Sequence, residues 1–328
     1  MAKRKERRIV IGNDRIRLDF DPRTSDTMYN YIWVWRPDTE RWLRVHNFGI
    51  DVRSYLRGKP EELVNTVGMH LSIQVDGRKA AVRYPSPLFS YGEVGDAKSL
   101  EAIHNYPDLP RNYGDLMAVC DASLSFEYEV HQSRPSFVVS GKVLRGRVLN
   151  VVYIIDALWT DNHQLPTHVC CEGFQPYANH DLGETLQYSY IENVAYAIFF
   201  RMDGLGVPFA YLPLRPDRST LCDHFDNSYC LSKFRLASTN QAYIPDDPPV
   251  TDSNDVGYTV EPDADGTLRG VRVAFFPELG WGRGSTGHVL LERIESAIEA
   301  DYLDAARSWK RREQNKPAMW TWMSYRPF

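Results

Sequence analysis

Between residues 156 and 192 the chain gathers Asp161, His163, His168, Glu172, His180, Asp181, Glu184 and Glu192 beside Trp159, Tyr177, Tyr188 and Tyr190. Imidazoles titrate near neutral pH, and a carboxylate beside one fixes its tautomer and raises its pKa, so this mixture suits proton transfer at a carbon or an oxygen. The rings among them offer flat apolar faces of the kind on which a sugar stacks. Singly, each residue is what an ordinary polar loop carries; their density singles out His163, His168, Glu172 and Tyr188 as candidate acid and base groups, with Trp159 as a substrate contact.

The same stretch admits a metal. LPTHVCCEGF reads as a strand, which sets His168, Cys170 and Glu172 on one face, and these ligand types suit zinc or another transition ion. No resident cofactor is expected; a divalent ion near His168 and Glu172 is the alternative. A second cluster, CDHFDNSYC, holds Asp223 and His224 between Cys222 and Cys230, whose spacing matches no zinc finger. It reads as a His-Asp pair lining a substrate site. GWGRGSTGH is rich in glycine but lacks the lysine of a phosphate-binding loop, so its Trp281 and Arg283 are assigned to a sugar and its carboxylate. The aspartates 246, 247, 252 and 255 lack the spacing of a calcium loop.

Strands must position these groups. In DRIRLDF, Ile16, Leu18 and Phe20 alternate with charged residues, and the DPRTSD that follows has turn chemistry, so a hairpin is predicted. Its second arm, YNYIWVW, sets Tyr29, Tyr31, Trp33 and Trp35 on one face and Ile32 and Val34 on the other. SLSFEYEV sets Leu124, Phe126, Tyr128 and Val130 against a wet face. FVVSGKVL, VLNVVYII, NVAYAIFF and LRGVRVAFF extend the pattern. One helix is predicted at about 292–314, with Ile294, Ile298, Tyr302, Ala305 and Trp309 as its docking stripe and with acidic residues early and basic ones late. Tyr84 to Asn112 and Ile244 to Gly257 read as long loops. The fold class that follows is mainly β: a large antiparallel β-sandwich with one C-terminal helix, in a single domain over 9–328 after a basic tail at 1–8.

Composition narrows the function. Among 328 residues there are 8 Trp, 19 Tyr and 14 Phe, more than a core of this size requires, although wide sheets also favour aromatics. A formal charge of −5 argues against nucleic acid, whose binders carry a basic face. No apolar run is long enough to cross a membrane, and the basic start KRKERR is not followed by the apolar run of a signal peptide, so cytoplasmic residence is expected. Five cysteines, an odd number, fit buried free thiols rather than a disulfide framework.

The opening NDRIRLDFDPRTSDTMYNYIWVW, within residues 12–60, resembles that of proteins with the galactose-mutarotase-like supersandwich. The resemblance implies a sugar or oligosaccharide as partner and a His acting as acid with a late Glu as base. Here His163 or His168 would be the acid and Glu278, in AFFPELGWG, the base. Epimerase or isomerase chemistry and lyase chemistry on a uronate both remain open. So do a non-catalytic carbohydrate-binding protein and a β-rich subunit of a homo-oligomer, the last suggested by the aromatic C-terminus MWTWMSYRPF, which also reads as a last strand.

Overall fold

The computed structural model describes residues 8–25, 29–56, 59–66, 68–69, 71–86, 88–91, 116–156, 168–171, 174–175, 190–191, 196–200, 204, 206–214, 255–280, 288–302 and 323–324. In chain order the strands are β1 (Ile9–Gly12), β2 (Ile16–Phe20), β3 (Tyr31–Arg36), β4 (Arg41–Leu56), β5 (Lys59–Thr66), β6 (Ser72–Asp76), β7 (Lys79–Tyr84), β8 (Leu88–Tyr91), β9 (Leu116–Cys120) and β10 (Ser123–Val130). They continue with β11 (Ser136–Arg145), β12 (Val148–Asp156), β13 (His168–Cys171), β14 (Phe174–Gln175), β15 (Tyr190–Ile191), β16 (Ala197–Phe200), β17 (Phe209–Pro213), β18 (Asp255–Val260), β19 (Thr267–Phe275) and β20 (Met323–Ser324). One helix, α1 (His288–Asp301), is described.

Seven strands form a first sheet in the order β1-β2-β3-β4-β12-β18, with β5 added to β4. Nine form a second, in the order β20-β13-β16-β17-β19-β11-β10-β7-β6. Every pairing in both is antiparallel. Two short ribbons, β8-β9 and β14-β15, complete the described strands. The long β4 organises the first sheet. Its early half pairs with β3, its middle with β12 and its end with β5.

Alternation decides which faces meet. Ile16, Leu18, Phe20, Ile32 and Val34 from β2 and β3 are almost wholly buried, as are Leu124, Phe126, Tyr128 and Val130 from β10. These inner faces join Phe48, Tyr153, Phe199, Phe209, Tyr211 and Phe275 in one core. Rings meet edge to face across it: Phe20 with Phe48 and with Tyr128 at 5.1 Å each, and Tyr84 with Phe126 at 4.9 Å. Each such pair contributes about 0.5–1.5 kcal/mol beyond its buried area. A smaller cluster covers the other face of the second sheet, where Leu290, Leu291, Ile294, Ile298 and Tyr302 of α1 and the turn after it pack on Ile198, Phe200, Ala210 and Leu212.

The helix begins at His288, four residues before the expected start, because Leu290 and Leu291 extend the buried stripe upstream. Glu292 therefore falls beyond the first turn, which carries no acidic residue, and the last turn carries no basic one. The buried members of the predicted stripe are Ile294, Ile298 and Tyr302; Ala305 and Trp309 lie outside the described residues. Two expected loops contain strands, β8 in the first and the start of β18 in the second. Arg8, assigned to the tail, is held in place: its Nε donates to Asp19 Oδ1 at 2.6 Å and its Nη2 to Tyr29 O at 2.7 Å. Met323–Ser324 does return as a strand, pairing with β13.

A bulge in β4 sets the local faces. Ile32 pairs with His46 and Trp33 with Arg44, leaving Val45 without an opposite partner. Val45 and His46 therefore both turn into the core. His46 has no exposed surface and lies 4.8 Å from the Phe209 ring and 5.8 Å from Phe275. Neither of its ring nitrogens has a hydrogen-bond partner among the described residues. Burial pushes the imidazole down to about 3. Its protonation is therefore favoured in the unfolded chain, and stability present above pH 6.5 is lost as the pH falls toward 3. Urea unfolding should show a loss approaching about 1.4 kcal/mol per pH unit below 6.5 from this group. The His46→Leu variant should lack that component and match or exceed the parent in stability at pH 5.

Close approach fixes one glycine. Gly68 lies under the Tyr84 ring, where an added Cβ would fall 1.9 Å from Cδ1, and its N–H donates to Ser25 Oγ at 2.8 Å. Gly68→Ala should cost about 1–3 kcal/mol in chemical denaturation, the range of an overpacked core.

Candidate functional site

The outward face of the first sheet collects the rings that alternation takes out of the core. Register sets Arg17, Trp33 and Arg44 in one row across β2, β3 and β4, and pairs Trp35 with Trp42 beside it. Tyr31, Trp33, Trp35 and Trp42 are half-buried. Guanidinium groups stack on two of them: Arg17 lies 3.8 Å from the Trp42 ring centre, and Arg8 and Arg44 lie 4.4 Å and 5.0 Å from that of Tyr31. Such stacking on half-exposed rings is worth about 0.5–1 kcal/mol each and holds the rings in fixed orientations. The Trp35 and Trp42 indoles meet edge to face at 5.7 Å. Trp33 sits between the two capped rings with no ring or guanidinium contact among the described residues.

A second row crosses the same face. Asp19 pairs with Tyr31, Tyr31 with Asn47, Asn47 with Asp156, and Asp156 with Asp255. Directly opposed residues of an antiparallel pair share a face. The row thus sets three acidic positions, a phenol and a carboxamide in line. Its open end is half-exposed at Tyr31, whereas Asn47 and Gly49 are buried, so the face closes over between β3 and the middle of β4. Neither the oxygen nor the nitrogen of the Asn47 carboxamide has a hydrogen-bond partner among the described residues. Asp156 ends β12 and Asp255 begins β18, so the reactive stretch 156–192 leaves the first sheet, and the acidic segment ahead of β18 re-enters it, at this row.

The sequence-derived site is divided among several elements where it is described. Asp156 belongs to the first sheet, His168 and the two cysteines after it to β13 in the second, and 174–175 with 190–191 to a ribbon of their own. His168 pairs with Phe200 and Cys170 with Ile198, positions whose partners belong to the helix-covered face, as the strand reading of HVCC requires. Glu278 lies in the turn after β19, and its Oε1 accepts from Arg15 Nη2 at 2.5 Å. His163, Glu172, Tyr188, Trp159, Asp223, His224, Trp281 and Arg283 lie outside the described residues. Among the described residues no group of three or more His, Cys, Asp or Glu could hold a metal. Cys120 is a buried free thiol, and no described helix is long and apolar enough to cross a membrane.

Sequence reasoning placed Tyr31, Trp33 and Trp35 on one face but did not weigh that face as a candidate site, and it did not single out the buried Asn47. The available signal was the polar pair His46-Asn47 inside an otherwise apolar strand.

Neither a protein-family model nor a curated protein matches the chain. Among solved structures, an alpha-mannosidase from Enterococcus faecalis V583 is similar at 10% identity and a TM-score of 0.35, over 89% of this chain and 30% of that one. This chain thus spans under a third of the mannosidase. A galactose mutarotase-like protein from Lactobacillus casei ATCC 334 is similar at 9% identity and a TM-score of 0.34, over 82% of this chain and 100% of that one. At TM-scores of this size neither likeness assigns an activity.

The Arg15–Glu278 pair is about two-fifths exposed on both sides, so its net contribution is small. Glu278→Gln should leave the unfolding free energy within about 0.5 kcal/mol of the parent, the range of exposed ion pairs. Any larger loss of turnover in that variant would then report on chemistry rather than on folding.

Proposed function

We propose that the protein binds a sugar on the outward face of its first sheet and moves protons on it with His, Glu or Tyr groups, in an epimerase, isomerase or lyase reaction. The observation that supports this reading is the fixed aromatic strip, with Trp33 between rings whose own faces are held by arginines. A sugar presents C–H groups on one ring face and hydroxyls at its edge. An indole beside acidic and amide positions meets both demands. The arginines of the strip also suit a uronate, whose carboxylate a guanidinium neutralises.

The acid and base are drawn from His163, Glu172, Tyr188 and Glu278, with Trp159, Asp223, His224, Trp281 and Arg283 as further contacts; His168, paired with Phe200 of the helix-covered face of the second sheet, stands apart from this face. The buried free thiol Cys120 supports residence in a reducing compartment, and we place the protein in the cytoplasm.

Proton NMR in deuterium oxide with a panel of mono- and oligosaccharides, uronates included, tests the reading. Anomeric exchange, deuterium incorporation or an unsaturated product identifies epimerase, isomerase or lyase chemistry respectively. Shifts without turnover would favour a binding module. Trp33→Ala should weaken the sugar about tenfold, the loss of one aromatic platform worth about 1–1.5 kcal/mol. A panel in which no sugar signal moves would overturn the proposal.

A further inference from the structure

Arginines surround the aromatic strip, and most of those on β2, β3 and the residues leading into them are matched by carboxylates. Arg8 pairs with Asp19 at 2.6 Å, Arg15 with Glu278 at 2.5 Å and Arg36 with Asp38 at 2.7 Å. Arg17 differs. It is exposed and has no hydrogen bond or ion pair with a described residue; its guanidinium instead lies 3.8 Å from the Trp42 ring centre. That contact fixes where its charge sits. Arg17 belongs to β2 and Trp42 to β4, so the side chain spans β3, the strand that carries Trp33. A guanidinium stacked on an indole keeps its N–H groups at the rim of its plane, where they still reach an acceptor. Space is left beside it as well: Gly12 stands opposite Arg17 on β1, and an added Cβ there would fall 2.9 Å from Arg17 Cγ. The row Gly12, Arg17, Trp33, Arg44 thus holds two cations and no carboxylate, in a chain whose formal charge is −5.

Resting on the sugar-binding reading of this face, we infer that Arg17 seats the carboxylate of an acidic sugar, a uronate, whose ring lies on Trp33. The two residue types select that class together. An indole takes the C–H face of a pyranose. A planar guanidinium meets both oxygens of a carboxylate through two parallel N–H groups, whereas a neutral hydroxyl engages one and leaves the charge unanswered. In a hexuronate the carboxylate is one bond from the ring, on the carbon beside the ring oxygen. A ring lying on Trp33 therefore presents it sideways, toward the opposed position on β2, about 5 Å away. Arg44, opposed to Trp33 on the other side, is turned to Tyr31, 5.0 Å from its ring centre, so the carboxylate is assigned to Arg17.

The full chain and its Arg17→Gln, Arg17→Lys and Trp33→Ala variants are titrated by proton NMR at low salt with glucose, glucuronate, glucuronate methyl ester, galactose, galacturonate, glucose 6-phosphate and acetate. The parent should bind a uronate about tenfold more tightly than its neutral counterpart or its methyl ester, the share of one charge-assisted contact. The gap should narrow as salt is added. Arg17→Gln should erase the gap through loss of uronate affinity, with circular dichroism unchanged; Arg17→Lys should keep part of it, since an ammonium has the charge without the fork. Should Arg17→Gln disturb the strip, Arg17→Lys against the parent, read on uronate and methyl ester, carries the same comparison. Equal affinity of the parent for the uronate and its methyl ester overturns the acidic class and leaves the sugar reading standing. A gap that survives intact in both Arg17 variants overturns the role of Arg17. Tighter binding of glucose 6-phosphate than of either uronate overturns the carboxylate in favour of a phosphate. Acetate bound as tightly as the uronates, with Trp33→Ala unchanged, removes the sugar reading, and a panel with no ligand bound overturns both.

Discussion

The two sheets hold together because period-two alternation in each delivers one wholly apolar face, and those faces meet through rings. Phe20, Phe48, Tyr128 and Phe137 interlock across the gap, with ring centres 5.1 to 6.4 Å apart. Close packing of this kind leaves little tolerance for a side chain on the wrong face. Everything outside the core follows from it. Side chains that alternation excludes from the gap must sit outward, and in β3 and β4 these are tyrosine, tryptophan and arginine.

That constraint explains why the outward strip is rigid. Rings excluded from the core would leave apolar area in water, and among the described residues Arg8 and Arg44 lie over Tyr31 and Arg17 over Trp42. The guanidinium groups shield the ring faces. Arg8 does this while also bonded to Asp19, so one side chain ties β2, Tyr29 ahead of β3 and the Tyr31 ring together. Beyond the strip the same face is buried at Asn47 and Gly49.

Strands with strict alternation were legible in the sequence, and so were their faces. β2, β3 and β10 show buried and outward residues where the pattern sets them, because one wet face leaves a clear signal. The helix stripe at Ile294, Ile298 and Tyr302 was equally plain, but its start was obscured since Leu290 and Leu291 could as well have ended a loop. Pairing order was not legible: nothing local tells β4 that its neighbour is β12, more than ninety positions along. The candidate site escaped for the same reason. Arg17 and Arg44 are seen to flank Trp33 only once β2 and β4 stand on either side of β3, and the sequence-derived cluster at 156–192 was recognised by residue type, a property that carries no information about which sheet each residue joins.

The bulge at Val45 has a consequence for how this sequence can change over evolutionary time. Val45 and His46 both face the core opposite Ile32, so losing Val45 alone would join Arg44 to His46 in plain alternation and leave His46, Phe48 and Ile50 inward. Losing a residue from the regular run 47–53 has no such slack and would turn the rest of the strand over. Descendants of this chain should therefore tolerate a change of length at this one point of β4 and keep it along the run that follows.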